Sequence, residues 1–343
     1  MIETIWRTQA ARQDVGRRVR ARILTCAARQ IPQGIASSVN LQDRSATAWL
    51  APGCPAVSFV ATVNAPEKTT DDEIHGRRKT AMTLADIETV RPGGQRHRMS
   101  AEEWKARQEL ACAYRLFDHL GWHSLIFNHI TVRLPNEPNH FLINPFGLMY
   151  REVTASNLVK VDLEGNVVDG STYPVNRAGF VIHSAIHLSR RGDAHAVMHT
   201  HTHAGVSVAC QRQGLLPLSM EAVAFQGEVA YHDFEGISLD TGERERLIEN
   251  LGDKYAMILR NHGLLTCGPT LADAFFTMYR LECACSSQIG AQAGGADLNL
   301  VGRALQAKTS QQMKHAAGQG NTGQMLFEAM SRWMVDKDPS FLQ

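Results

Sequence analysis

Apolar positions recur with a regular period only after Met99. Leu110, Tyr114, Phe117 and Leu120 fall on one face of a 3.6-residue repeat. Ser100 and Glu103 ahead of them form an S-x-x-E capping box, and Gly121 supplies a stop, so a helix is predicted between Ser100 and Gly121. Ile130-Thr-Val-Arg-Leu134 alternates as a half-buried strand before a turn at Pro135–Pro138, with His140-Phe-Leu-Ile-Asn144 as its hairpin partner. Val159–Leu163 and Asn166–Val168, separated by Glu164-Gly165, read as a second hairpin. A helix is predicted over Phe180–Arg191, a strand over Ala194–His199 and a strand over Tyr255–Arg260. A long helix follows from Thr270 to about Ala293, capped by Thr270 with Asp273 and ended at Gly294-Gly295. Strand pairs mixed with helices, without a regular βαβ alternation, predict an α/β domain with an antiparallel or mixed sheet covered by helices.

Composition changes this picture mainly at the N-terminus. Residues 1–100 hold 15 Lys and Arg against nine Asp and Glu, whereas the whole chain nets +1, so the remainder is acidic. Arginines at 12, 17, 18, 20, 22 and 29 crowd an Ala/Gln-rich stretch. From Ile31 to Gly94 the chain is Pro, Gly, Ser, Thr and Asp punctuation with few core formers. Residues 1–98 are therefore expected to be a basic disordered extension, a targeting peptide or the product of too early a start. The folded domain is expected over 99–325, with 326–343 as a C-terminal tail. The near-neutral total argues against nucleic acid or an anionic membrane surface as partner. No apolar run approaches the roughly 20 residues of a membrane span. Seven cysteines, with only Cys283 and Cys285 close together, make a poor disulfide framework and point to reduced thiols in a cytoplasmic protein.

Candidate chemistry lies in the histidines. Six of fifteen fall between His183 and His203, and His199-Thr200-His201 is the centre of that run. Residues i and i+2 of a strand share a face, so both imidazoles enter one space. Imidazole nitrogen suits zinc, iron, manganese or cobalt. Alone, an H-x-H is equally well read as two hydrogen-bonded core histidines. His262, at a strand end beside Gly263, offers a third ligand and tips the reading towards a divalent metal, zinc foremost. Three neutral donors leave coordination positions open for Lewis-acid or oxygen chemistry.

From Arg107 to about Leu300 the chain resembles the class II aldolase/adducin family, in its adducin-head-like branch. The resemblance is carried by Gly121-Trp122, Asn128-His129-Ile-Thr-Val-Arg-Leu-Pro135, Phe141-Leu-Ile-Asn-Pro-Phe-Gly147 and Ala178-Gly-Phe-Val-Ile-His-Ser184. Val197-Met-His-Thr-His-Thr202, Gly214-Leu-Leu-Pro-Leu-Ser219, Tyr231-His-Asp-Phe-Glu-Gly236 and Leu259-Arg-Asn-His-Gly-Leu-Leu265 continue it in order. It implies a three-layer αβα domain with a central, mostly antiparallel sheet. It also implies a homotetramer in the enzymes, and a zinc-like ion on His199, His201 and His262. Gly179 stands where the family's sugar-phosphate enzymes place their acid/base carboxylate. The phosphate-holding elements are altered at Arg177-Ala178, Asn128-His129 and Pro145-Phe146-Gly147, so an ordinary phosphosugar aldolase is not expected.

Two readings remain open. The first is a metal-dependent lyase, decarboxylase or oxygenase acting on a small unphosphorylated oxo- or hydroxy-acid. The second is an adducin-like, non-catalytic assembly module with actin as partner by analogy. Under the first, candidate proton carriers are His183 (with His187 one turn on), His232 beside Asp233, and Tyr279. Glu221 is the carboxylate following the metal strand. Phe146 and Phe180 serve either as an aromatic pocket wall or as core.

Overall fold

In the computed structural model of the chain, residues 99–343 are described except 191, 237–241 and 320. The expectations for residues 1–98 lie outside the described residues. The first helix, α1 (Ala101–Leu120), begins where the capping box places it. The Ser100 hydroxyl accepts from the Glu103 amide, and Gly121 closes the helix at φ 74°. Next come β1 (Ile130–Leu134), β2 (Glu137–Ile143), β3 (Val159–Val161) and α2 (Arg177–Ser189). Then follow β4 (Ala196–Thr200), α3 (His203–Ala209), α4 (Met220–Ala224), β5 (Val229–His232) and α5 (Gly242–Leu251). The chain ends with β6 (Ala256–Leu259), β7 (Gly263–Gly268), α6 (Leu271–Gln292), α7 (Arg303–Gln319) and α8 (Thr322–Lys337), with a last 3-10 turn over Pro339–Leu342.

The strands form one seven-stranded sheet in the order β3-β2-β1-β4-β7-β6-β5, and every pair but β5–β6 is antiparallel. Alternation along each strand sends residues to two distinct cores. Met198 of β4 and Ile258 of β6 join Leu110, Phe117, Phe275 and Phe327 beneath α1, α6 and α8. Val197, Met257 and Leu265 instead meet Ile182, Ile186 and Leu247 from α2 and α5. The result is helix, sheet, helix: the expected three-layer architecture. The predicted second hairpin reduces to β3 and a single bridge from Val161 to Val167.

Residues 326–343 differ from the tail expected of them. Phe327, Met334, Phe341 and Leu342 are buried, Arg115 pairs with Asp338 at 2.5 Å, and the Phe341 carbonyl accepts from the Ala155 amide. Short apolar clusters at a chain end carry no partner information in sequence; here α1 and the turn after β2 supply it. A second polar anchor ties α1 to the sheet edge. Arg107, fully buried, donates to Glu103 and Asp169 and to the Leu158 carbonyl, so its charge is compensated. Among the described residues no helix is long and apolar enough to cross a membrane. Their five cysteines are free thiols, three of them buried.

Candidate metal centre

His199 is the fourth residue of β4 and is buried; its side chain points to the α2 face, as Val197 does. β4 ends at Thr200, and His201 leaves the strand just before α3, whose N-cap is Thr202. His262 arrives from the other side of the sheet centre, in the tight turn between β6 and β7. Two neighbours make that turn. Asn261 adopts a left-handed φ of 57°, which asparagine tolerates better than other side chains. Gly263 must lack a side chain, since a Cβ there would sit 2.2 Å from the Thr200 carbonyl oxygen and press on both His201 and His199. The Asn-His-Gly sequence is thus a device for bringing His262 against β4.

The three imidazoles converge. His199 Nε2 lies 2.6 Å from His201 Nε2 and 3.2 Å from His262 Nε2, and the three donor atoms all fall within 4.8 Å of one another. His199 Nδ1–H donates to the Leu264 carbonyl at 2.7 Å, which leaves its Nε2 lone pair directed at the other two rings. Burial is the largest influence on each ring and favours the neutral form; mutual repulsion adds to it. His199 is held well below the usual histidine value, His201 down to about 4, and His262 lowered. Neutral, converging and oriented imidazoles are the donor set a borderline divalent ion requires, so the residues present fit such an ion. His203, next in the alternation, is exposed at the start of α3 and stays outside the cluster.

Support comes from a residue the sequence reading missed. Glu282 of α6 is buried under the metal strand and accepts from the Thr200 hydroxyl at 2.5 Å and the Thr202 hydroxyl at 2.7 Å. Thr202 Oγ1 in turn accepts from the Gly205 amide. One carboxylate therefore grips both threonines of His-Thr-His-Thr. A buried acid in an otherwise apolar helix face was the available signal.

The other candidates separate. His183 and His187 do share a face of α2, and both bond the Thr131 hydroxyl of β1, at 2.7 and 2.8 Å. His187 Nδ1–H donates to the Ala194 carbonyl, so its Nε2 accepts from Thr131, which must then accept from His183 Nδ1–H. That order ties β1 to α2 in the wall of the site. His232, at the end of β5, lines a small cleft with His262, Phe234, Arg260 and Glu243. Its partner is not Asp233, as the sequence implied. The Asn250 amide reaches His232 Nδ1 at 2.8 Å, and Nε2 lies 3.6 Å from Glu243. Tyr279 is partly exposed on α6 with its ring against Trp122. Glu221 lies on α4, where its charge acts on Tyr279, Arg280 and Cys283. Phe180 packs with Phe141 and Val159 in a small core of its own, so it belongs to the interior rather than to a pocket wall.

At Gly179, in the first turn of α2, an added Cβ would meet the His129 ring at 2.2 Å. His129, buried just before β1, packs its ring 4.2 Å from His183 and 5.6 Å from His199.

Comparison with known proteins agrees with this architecture. The model described as Class II Aldolase and Adducin N-terminal domain matches residues 108–289. An aldolase II superfamily protein from Pseudomonas syringae of known crystal structure is 47% identical, over 73% of this chain and 100% of that one, with a TM-score of 0.70. Alpha-adducin of Rattus norvegicus is 46% identical over 241 residues, which is 66% of this chain but 32% of adducin. The structure of L-fuculose 1-phosphate aldolase from Glaciozyma antarctica is 30% identical, covering 74% of this chain and 94% of that one, with a TM-score of 0.58. The chain belongs to the class II aldolase and adducin family.

Proposed function

We propose that the chain is a divalent-metal-dependent carbon–carbon lyase acting on a small unphosphorylated oxo- or hydroxy-acid. The observation that carries this reading is the convergence of three neutral imidazoles with His199 Nδ1 fixed on a backbone carbonyl. A divalent ion held by His199, His201 and His262 would supply Lewis-acid polarisation of a substrate carbonyl. The chain's own residues hold and orient it. His199 is locked by Leu264, Gly263 lets His262 approach, and Glu282 sets the path of the His-Thr-His segment. His232 is the proton carrier we assign, because it shares the cleft of His262. The Asn250 amide donates to Nδ1, which leaves the Nε2–H on the side of Glu243, 3.6 Å away. An unphosphorylated substrate is supported at the altered Asn128-His129 element, where the buried Asn128 amide is spent on the His199 carbonyl.

Metal analysis tests the reading. We expect about one divalent ion, zinc first, per wild-type chain and a loss of it in His199→Ala/His201→Ala. A wild type holding no more metal than that variant ends the enzymatic reading. Oxygen consumption with a panel of 2-oxo acids then separates oxygenase from lyase. The 46% identity to alpha-adducin supports a second reading, an assembly module, for which co-sedimentation with actin is the direct assay.

A further inference from the structure

The wall opposite the three ligands holds a polar group with no assigned work. His129 leaves β1 on the same face as Thr131, under the N-terminal turn of α2 and beside the metal strand. Its ring is 3% exposed, and neither Nδ1 nor Nε2 has a partner in hydrogen-bond geometry. A buried imidazole without partners costs free energy unless something else satisfies it. The Phe127 and Gly179 backbones lie beside the ring without reaching hydrogen-bond geometry, and His183 Nε2 and Asn128 Oδ1 are likewise unpartnered. His183 Nδ1 is committed to Thr131, His199 Nδ1 to Leu264, and the Asn128 amide to the His199 carbonyl. The ring lies between α2 and the ligand cluster, its centroid 4.2 Å from that of His183 and 5.6 Å from that of His199.

Gly179 shows that this placement excludes alternatives. A Cβ at 179 would lie 2.2 Å from His129 Cε1, 2.5 Å from Nδ1 and 2.6 Å from Nε2. The His129 ring, just before β1, occupies the volume that a side chain at position 179 of α2 would take. His129 is not among the three side chains whose donor atoms cluster, so it belongs outside the ion's first coordination shell.

We propose that His129 is the outer-sphere partner of the metal centre: its imidazole hydrogen-bonds the water, anion or substrate oxygen in the open coordination position, and residue 179 is glycine to admit it. This rests on the metal reading above and adds a residue to it.

The test uses Co(II)-loaded full-length protein and azide, a small anion that takes an open position on cobalt, followed by visible absorption. His129→Phe keeps the ring's bulk and removes both nitrogens; His129→Gln restores a donor and an acceptor. We expect His129→Phe to retain one cobalt per chain while azide affinity falls about tenfold, the worth of one hydrogen bond to a charged group. His129→Gln should recover part of the loss. Gly179→Ala, which displaces the ring instead of altering it, should weaken azide binding in the same direction. Azide affinity within twofold of wild type in cobalt-replete His129→Phe overturns the proposal, and loss of cobalt makes His129 a ligand and overturns it equally. A wild type that takes up no cobalt is a different failure, that of the metal reading itself.

Discussion

Gly179 and His129 are a matched pair, and each explains the other. The helix start at 177–179 needs no glycine for its own sake, because the Asn176 side chain caps it through the Gly179 amide. The requirement is steric. Gly179→Ala should therefore destabilise the fold by about 1–3 kcal/mol, the usual cost of forcing atoms into a filled interior. Removing the obstruction in a His129→Ala/Gly179→Ala double variant should return part of that loss. Thermal melts of the four proteins in the cycle measure the coupling; strict additivity would mean the contact carries no energy. The ligand histidines pose a different constraint. Their positions were readable from spacing, but the tautomer of His199 and the need for Gly263 were not, since both depend on the β7 and β4 backbones.

Among the elements, α6 does more than cover the sheet. It buries Phe275, Met278 and Leu281 on one side of β4, and from the same face sends Glu282 to Thr200 and Thr202. The strand-to-helix step that carries His201 is thus clamped from below, and outer groups of this kind set metal affinity. A glutamine can accept through one oxygen where glutamate has two. Glu282→Gln should consequently weaken metal binding about tenfold while the protein still folds, read by competition with a chelating indicator. Unchanged affinity would reduce Glu282 to packing. The helix was predicted from its periodicity and its Thr270 cap, and it formed as Leu271–Gln292. Its carboxylate went unnoticed because a helical pattern shows which face is apolar, not what lies across from one polar position.

Across the whole molecule the sheet separates two environments, and the α2 side holds an unusual store of buried histidine. His187 is fully buried, bonded to Thr131 and Ala194, and faces Arg133 with His195 nearby; burial, first of all, holds it down to about 3. His183 beside it is lowered too, again chiefly by burial. The sign follows directly. Below the unfolded-chain value near 6.5 the unfolded state takes up protons that the folded state refuses until about pH 3, so stability is full above 6.5 and falls as pH drops through that window. Each refused proton contributes about 1.4 kcal/mol per pH unit. Urea titrations of metal-free protein between pH 7 and 4 should show this decline, and His187→Gln should flatten it. An equal slope in that variant would place the pH dependence elsewhere.

The sequence by itself determined the helix from Ser100 to Gly121, the hairpin of Ile130–Leu134 with its neighbour, the α6 helix, and the identity of the three candidate ligands. These depend on local chemistry: caps, two-residue alternation, and imidazoles on one strand face. Tertiary structure alone decided the rest. It joined residues 326–343 to the core through Phe341 and Leu342, gave His232 Asn250 and Glu243 in place of Asp233, and moved Phe180 into an interior cluster. It also set His129 in the space Gly179 leaves open. Each of these joins residues many positions apart, and periodicity carries no information about which distant surfaces will meet.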